Sequence, residues 1–161
     1  MEYFEDLTSA SFEKTEIKIT PFTSEYQKQA KELILQGIEE YVGKLEPGYN
    51  EDLNNIEESF KEHLFLIVLE EGKVIGTGGL LLEGEAPQIV RVSVKKEYRR
   101  QELGRRIVDE LISYAVKNGY KRVIVETSKD WSKAVNFYFK YGFEIMYYKD
   151  GDIYFKYDKL F

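Results

Sequence analysis

The sequence predicts a single α+β domain built on a mixed, mostly antiparallel sheet. Three observations point there. Two apolar runs, His63 to Leu69 and Val74 to Leu82, are joined by only "EEGK", a connection short enough for antiparallel pairing alone. From Ile89 to Thr127 a strand, an amphipathic helix and a second strand follow one another. That unit sets two strands parallel with a right-handed crossover. Near the C-terminus, "FEIMYYKDGDIYFKY" places Asp150-Gly151 between two alternating runs, a strong hairpin signal. A chain of 161 residues without internal repeats or a Pro/Gly/Ser linker fits one domain.

In order, residues 1 to 15 read as an acidic extension carrying Tyr3 and Phe4, and the domain is expected over 16 to 161. "IKIT" (Ile17 to Thr20) alternates as a strand does. Ser24 to Gln27 has the form of a capping box. Behind it Ala30, Leu33, Ile34, Ile38 and Tyr41 recur at helical spacing up to Gly43. "LEPGYNED" is a loop, and Leu53 to Lys61 reads as a short second helix. The two antiparallel strands follow. The second holds Gly76, Gly78 and Gly79, which weaken a strand unless a bulge or close packing requires them. "QIVRVSV" (Gln88 to Val94) is a third strand. Leu103, Ile107, Leu111 and Ala115 mark a helix closed by Asn118-Gly119. "RVIVET" (Arg122 to Thr127) is apolar enough for a central strand, and Ser132 opens a last helix running to Tyr141.

Composition excludes several kinds of chemistry. There are no cysteines, so disulfides, thiolate metal sites and a cysteine nucleophile are ruled out. His63 is the only histidine, so no multi-histidine metal centre can form, and no metal is expected. The start lacks the basic and apolar regions of a secretory signal, and no apolar run is long enough to span a membrane, so a cytoplasmic location without membrane contact is expected. A net charge of −6 argues against general nucleic-acid binding.

One stretch runs against that charge. Lys95 to Arg106 holds six lysines and arginines against two glutamates and sits between a strand and a helix. A helix start offers unpaired amides and a positive dipole end, glycine lets a phosphate approach, and arginines add charged bonds. Basic side chains at that end oppose the dipole, so a merely solvated helix start explains them poorly. The segment "VSVKKEYRRQELGRRIVDELISYA" resembles motif A of the GNAT (Gcn5-related N-acetyltransferase) superfamily: a strand, then R/Q-x-x-G-x-G/A, then a helix. Arg99 takes the first position and Gly104 the last, and Glu102 replaces the middle glycine. A second segment, "WSKAVNFYFKYGFEIM", resembles the family's A-x-x-F-Y-x-x-x-G-F stretch, with Ala134, Phe137, Tyr138, Gly142 and Phe143 in register.

The resemblance implies a single GNAT-like domain with a splayed parallel strand pair and helices on both faces of the sheet. It implies acetyl-CoA as co-substrate, the pantetheine arm along Val92, Ser93 and Val94, and the pyrophosphate on the loop Arg99, Arg100, Gln101, Glu102, Leu103, Gly104 and Arg105. Transfer would be direct to a primary amine of a small molecule or peptide, with the Val94 amide polarising the thioester and Tyr138 protonating the leaving thiolate. For the general base, Glu126 at the end of "RVIVE" is preferred over Glu85, while Gln88, near the place where some relatives carry an acid, cannot act as one. His63 reads as a surface or capping residue, and Trp131 packs against the cofactor, shapes the acceptor pocket or anchors a helix start. Tyr41, Tyr49, Tyr147 and Tyr148 suggest an aromatic-walled acceptor pocket, and Glu39, Glu40, Glu51 and Asp52 a preference for a cationic amine. Homodimerisation is left open. The alternative is a non-catalytic acyl-CoA sensor whose loop is weakened by Glu102. On the sequence, Glu102 fits the loop provided its dihedrals stay out of the left-handed region and its carboxylate points to solvent or to Arg99 or Arg106.

Overall fold

The computed structural model describes residues 16–158, so the expected acidic extension, 1–15, lies outside the described residues. The sheet has seven strands: β1 (Ile17–Pro21), β2 (Leu64–Glu70), β3 (Lys73–Leu81), β4 (Gln88–Val94), β5 (Val123–Ser128), β6 (Glu144–Lys149) and β7 (Asp152–Tyr157). Their order across the sheet is β1-β2-β3-β4-β5-β7-β6. Every pairing is antiparallel except β4 with β5, the pair linked by the strand–helix–strand unit. Four α-helices complete the fold: α1 (Gln27–Val42), α2 (Ile56–Ser59), α3 (Leu103–Lys117) and α4 (Ser132–Tyr141). Among the described residues, no helix is long and apolar enough to cross a membrane.

Strand alternation divides the core into two layers. Along β2, Phe65 and Ile67 join Ala30, Leu33, Ile34 and Ile56 on the α1 and α2 side. Leu66 and Val68 point the other way and pack with Ile107, Leu111 and Val125 on the α3 side. A strand buried on both faces reads as the continuous apolar run "LFLIV" rather than as an alternating one.

Two expectations at the first helices are corrected. Ser24 is not part of a capping box: Ser24–Tyr26 is a 3-10 turn and no side chain caps it. The Gln27 side chain reaches forward instead, donating to the Leu53 carbonyl at 2.7 Å and accepting from the Ile56 amide at 2.9 Å. The predicted helix from Leu53 to Lys61 is also broken. Asn55, at φ −151°, interrupts it and caps α2 by accepting the Glu58 amide at 3.2 Å, leaving a 3-10 turn (Glu51–Asn54) before it. A side chain that can satisfy its own backbone competes with helix continuation, and Asn55 ends the first segment that way.

The β3 glycines have a steric cause. A Cβ on Gly78 would lie 2.3 Å from Ile107 Cγ2, and one on Gly76 would lie 3.1 Å from Ile107 Cδ1. Helix α3 thus rests directly on the backbone of β3, which fixes how close its N-terminus comes to β4. Because Ile107 Cγ2 sits on a stiff β-branched carbon, Gly78→Ala should lower unfolding stability by about 1–3 kcal/mol through overpacking, read as a lower urea midpoint. An unchanged midpoint would show that α3 can move off the sheet.

Candidate functional site

β4 and β5 pair only at Gln88↔Ile124 and Ile89↔Val125. Beyond those two pairs they diverge, and a cleft of about 1120 Å³ opens between them. The divergence coincides with a bulge in β4: Thr77 faces Ser93, but Gly79 faces Val90, so β4 carries one extra residue. Arg91, within the bulge, has φ +55°, and its carbonyl accepts a 2.8 Å bond from the buried Thr77 hydroxyl. Past the bulge, the Lys95 amide donates to the Ile75 carbonyl at 2.8 Å. Amides alternate in direction along a strand, so that of Val94 turns away from β3 into the cleft.

One part of the cleft gathers unpaired amides and cationic side chains. Helix α3 begins at Leu103 after Glu102 and has no side-chain cap, so its first-turn amides remain for a ligand or water. Gly104 lets α3 pack close to α4, since a Cβ there would press on Phe137 Cε1 at 3.2 Å. Arg100 and Arg105 line the cleft from this turn, and Lys133 and Lys140 line it from α4. Arg105 lies over the Tyr141 ring, 5.1 Å from its centroid. Arg99 is differently engaged. Its guanidinium grips the Glu40 carboxylate of α1 at 2.7 and 2.8 Å, and its Nε donates to the Val94 carbonyl at 2.9 Å. That pairing holds the Glu40 carboxyl below the usual carboxylate range.

The same cleft also carries groups able to move protons. Tyr138 is 6% exposed, with its ring edge-on to Phe137 and Phe143 at 5.0 and 5.3 Å, and it lines the cleft. Burial pushes its phenol well above the ordinary tyrosine range, so it keeps its proton. Glu126 lines the same cleft from β5. A hydrogen bond with Asp152, then partial burial, raises its carboxyl above the ordinary range, while a bond from Tyr154 pulls the other way. The same bond to Glu126 pushes the Tyr154 phenol up to about 12. Over the cleft, the Tyr41 ring of α1 stacks on Trp131 at 4.6 Å and 6°.

The sequence model of the Acetyltransferase (GNAT) family matches residues 25–143. The chain belongs to this family. It is 28% identical over 111 residues to the Xenopus tropicalis protein named "Probable N-acetyltransferase camello", covering 65% of this chain and 51% of that one; it thus spans about half that relative's length. Its fold superposes on a GNAT-family acetyltransferase from Staphylococcus aureus Mu50 with a TM-score of 0.78 at 21% identity, covering 88% of this chain and 98% of the other. It superposes on PaiA N-acetyltransferase from Thermoplasma acidophilum, crystallised in complex with coenzyme A, with a TM-score of 0.76 at 19% identity, covering 89% and 99%.

Within the GNAT frame the structure brings most of the expected residues together and separates others. Val92, Ser93, Val94, Arg99, Arg100, Glu102, Gly104, Arg105, Glu126 and Tyr138 all line one cleft. Leu103 does not; it is buried in the core with Ile107 and Leu111. Gln101 is exposed outside the lining. Of the four tyrosines expected around the acceptor, only Tyr41 lines the cleft, joined by Trp131, Phe137 and Tyr141. Glu40 and Asp52 are held by Arg99 and Arg91, so neither is a free acceptor-side charge. His63 accepts the Leu82 amide through Nδ1 at 2.9 Å and closes the β2–β3 ladder. Lys133, Lys140 and Arg91 escaped the sequence reading. The two lysines were detectable, because a seven-residue interval on a helix, with Phe137 and Tyr141, marks one face.

The condition set for Glu102 is not met. It sits at φ 59°, ψ 21°, inside the left-handed region, where the family's glycine is at ease and a residue with a Cβ is strained. Its side chain is exposed. Glu102→Gly should therefore stabilise the fold by roughly 1 kcal/mol, the strain relieved less the added freedom of the unfolded chain, seen as a higher urea midpoint. A lower midpoint would mean that the glutamate makes a compensating contact.

Proposed function

We propose that this chain is an N-acetyltransferase that moves the acetyl group of acetyl-CoA to a primary amine of a small molecule or peptide by direct transfer in a ternary complex. The observation that carries this reading is one cleft lined by an uncapped helix start, an inward amide, a protonated phenol and a carboxylate. The residues present fit the co-substrate. The amides of Leu103 to Arg105, with Arg100, Arg105 and Lys140 beside them, would hold the pyrophosphate, and the Val92 to Val94 edge, free of β5, would hold the pantetheine arm.

Glu126 would take a proton from the ammonium form of the acceptor, leaving a nucleophilic neutral amine. The Val94 amide would stabilise negative charge on the carbonyl oxygen as the nitrogen attacks. A C–N bond would form and the C–S bond break; Tyr138 would give its proton to the departing sulfur, and the surplus proton on the acylated nitrogen would leave through water to restore the phenol, giving a neutral amide and a free thiol. The raised phenol stays protonated throughout the working pH range, so its proton is present when the sulfur departs. The absence of cysteine agrees with direct transfer, since no acyl-cysteine can form on the chain.

Calorimetry with acetyl-CoA and CoA, followed by thiol release across a panel of amines, tests the reading. Binding with turnover is expected. Binding without turnover on any amine would favour the sensor alternative, and no binding would sink both. Tyr138→Phe should lower kcat on the order of 10²-fold while acetyl-CoA still binds, and an unchanged kcat would remove its acid role. Glu126 works only when ionised and its carboxyl is raised. Activity should therefore fall as pH drops through a value above the ordinary carboxylate range, and Glu126→Gln should abolish that acid limb of the pH–rate profile.

A further inference from the structure

Arg91 is the one charged residue of β4, set at its middle, and it occupies a left-handed backbone conformation. A residue with a Cβ persists there only where its surroundings over-determine it. Two contacts do so. The buried Thr77 hydroxyl holds its carbonyl at 2.8 Å. Its guanidinium holds a loop on the far side of the cleft: Nε and Nη2 donate to the two Asp52 carboxylate oxygens at 3.1 and 2.6 Å, and Nη1 donates to Asn50 Oδ1 at 3.0 Å. Asn50 is itself left-handed, at φ 63°. Two strained residues on separate segments are thus tied by one planar fork, a geometry that a point charge such as lysine could not reproduce.

The place of this tie gives it a role. The bulge is where β4 stops pairing with β5, and both Asn50 and Asp52 line the cleft that results. Without the tie, Arg91 is free to leave its strained conformation, and the edge that follows can shift toward a regular ladder. We propose that Asp52 and Asn50 are positioning residues that act through Arg91, latching the loop between α1 and α2 to the β4 bulge so that the Val92 to Val94 edge stays aimed into the cleft. They touch neither co-substrate nor acceptor in this role. The proposal rests on the acetyltransferase reading for its kinetic consequence but not for its structural one.

The test uses the full chain and two measurements: steady-state transfer to an amine the wild type accepts, and amide hydrogen exchange over residues 90–94. Asp52→Ala should lower kcat roughly 10- to 100-fold while CoA affinity changes by less than about three-fold, because the reacting end is displaced and the phosphate loop is not. Exchange at 90–94 should quicken. Asp52→Glu should recover part of both. Arg91→Gly separates the latch from the backbone preference, since glycine accepts the left-handed angle without strain but has no guanidinium; it should behave as Asp52→Ala does. If both variants keep wild-type kcat and exchange, the proposal is overturned. A general fall in thermal stability without faster exchange at 90–94 also overturns it. Should the wild type transfer acetyl to no amine, the acetyltransferase reading falls, and the exchange measurement alone decides the latch.

Discussion

The parallel ladder between β4 and β5 lasts for two residue pairs and then ends, and the site depends on that early ending. A full ladder would occupy the amide edge of Val92 to Val94 with β5 and leave no cleft. The interruption is built in on the opposite side of β4, where one extra residue against β3 bends the strand away. Antiparallel pairing with β3 therefore shapes the strand that parallel pairing with β5 cannot complete. Glycines in β3 let α3 seat against the sheet beside the bend, and that contact brings the uncapped helix start next to the freed edge.

Helix α1 lies across this opening and is tied to both of its banks. Glu40 joins it to the loop after β4 through Arg99, and Tyr41 joins it to the segment before α4 through the Trp131 ring. The two ties differ in kind. The first is a bidentate charged pair that orients its partners and weakens as salt rises; the second is an apolar stack that salt leaves alone. Together they make α1 part of the cleft rather than a helix packed only on the sheet.

Much of this was legible in the sequence, because the signals are local. Alternation, helical spacing and the Asp150-Gly151 turn determine which elements form, and the short link between β2 and β3 determines how they pair. The two motif segments place the Arg99 to Arg105 turn and Tyr138 near each other because each spans a strand–helix or helix–strand junction. What stayed hidden depends on distant partners or backbone angles. Nothing in "QIVRVSV" shows that Arg91 is left-handed or that Asp52, 39 residues earlier in the chain, receives it. Asp52 and Glu40 looked like free acids for the same reason: an exposed carboxylate and one gripped by a remote arginine are identical in sequence. The Ser24 box failed because Gln27 found better partners at Leu53 and Ile56 than its own helix could offer.

Glu102 has a thermodynamic side beyond its strain. A glycine at that point samples a wide range of dihedrals, and an anion that orders the loop must first overcome this disorder. A glutamate has fewer backbone states open to it than a glycine, and its neighbours are braced by Tyr98 bonded to Glu70 and Arg99 bonded to Glu40. Less entropy is then left to lose on binding, the usual gain from preorganisation. Fold stability and loop ordering thus pull in opposite directions at one residue: the strain weakens the folded state, and a stiffer loop would lower the entropic cost of the pyrophosphate binding proposed above.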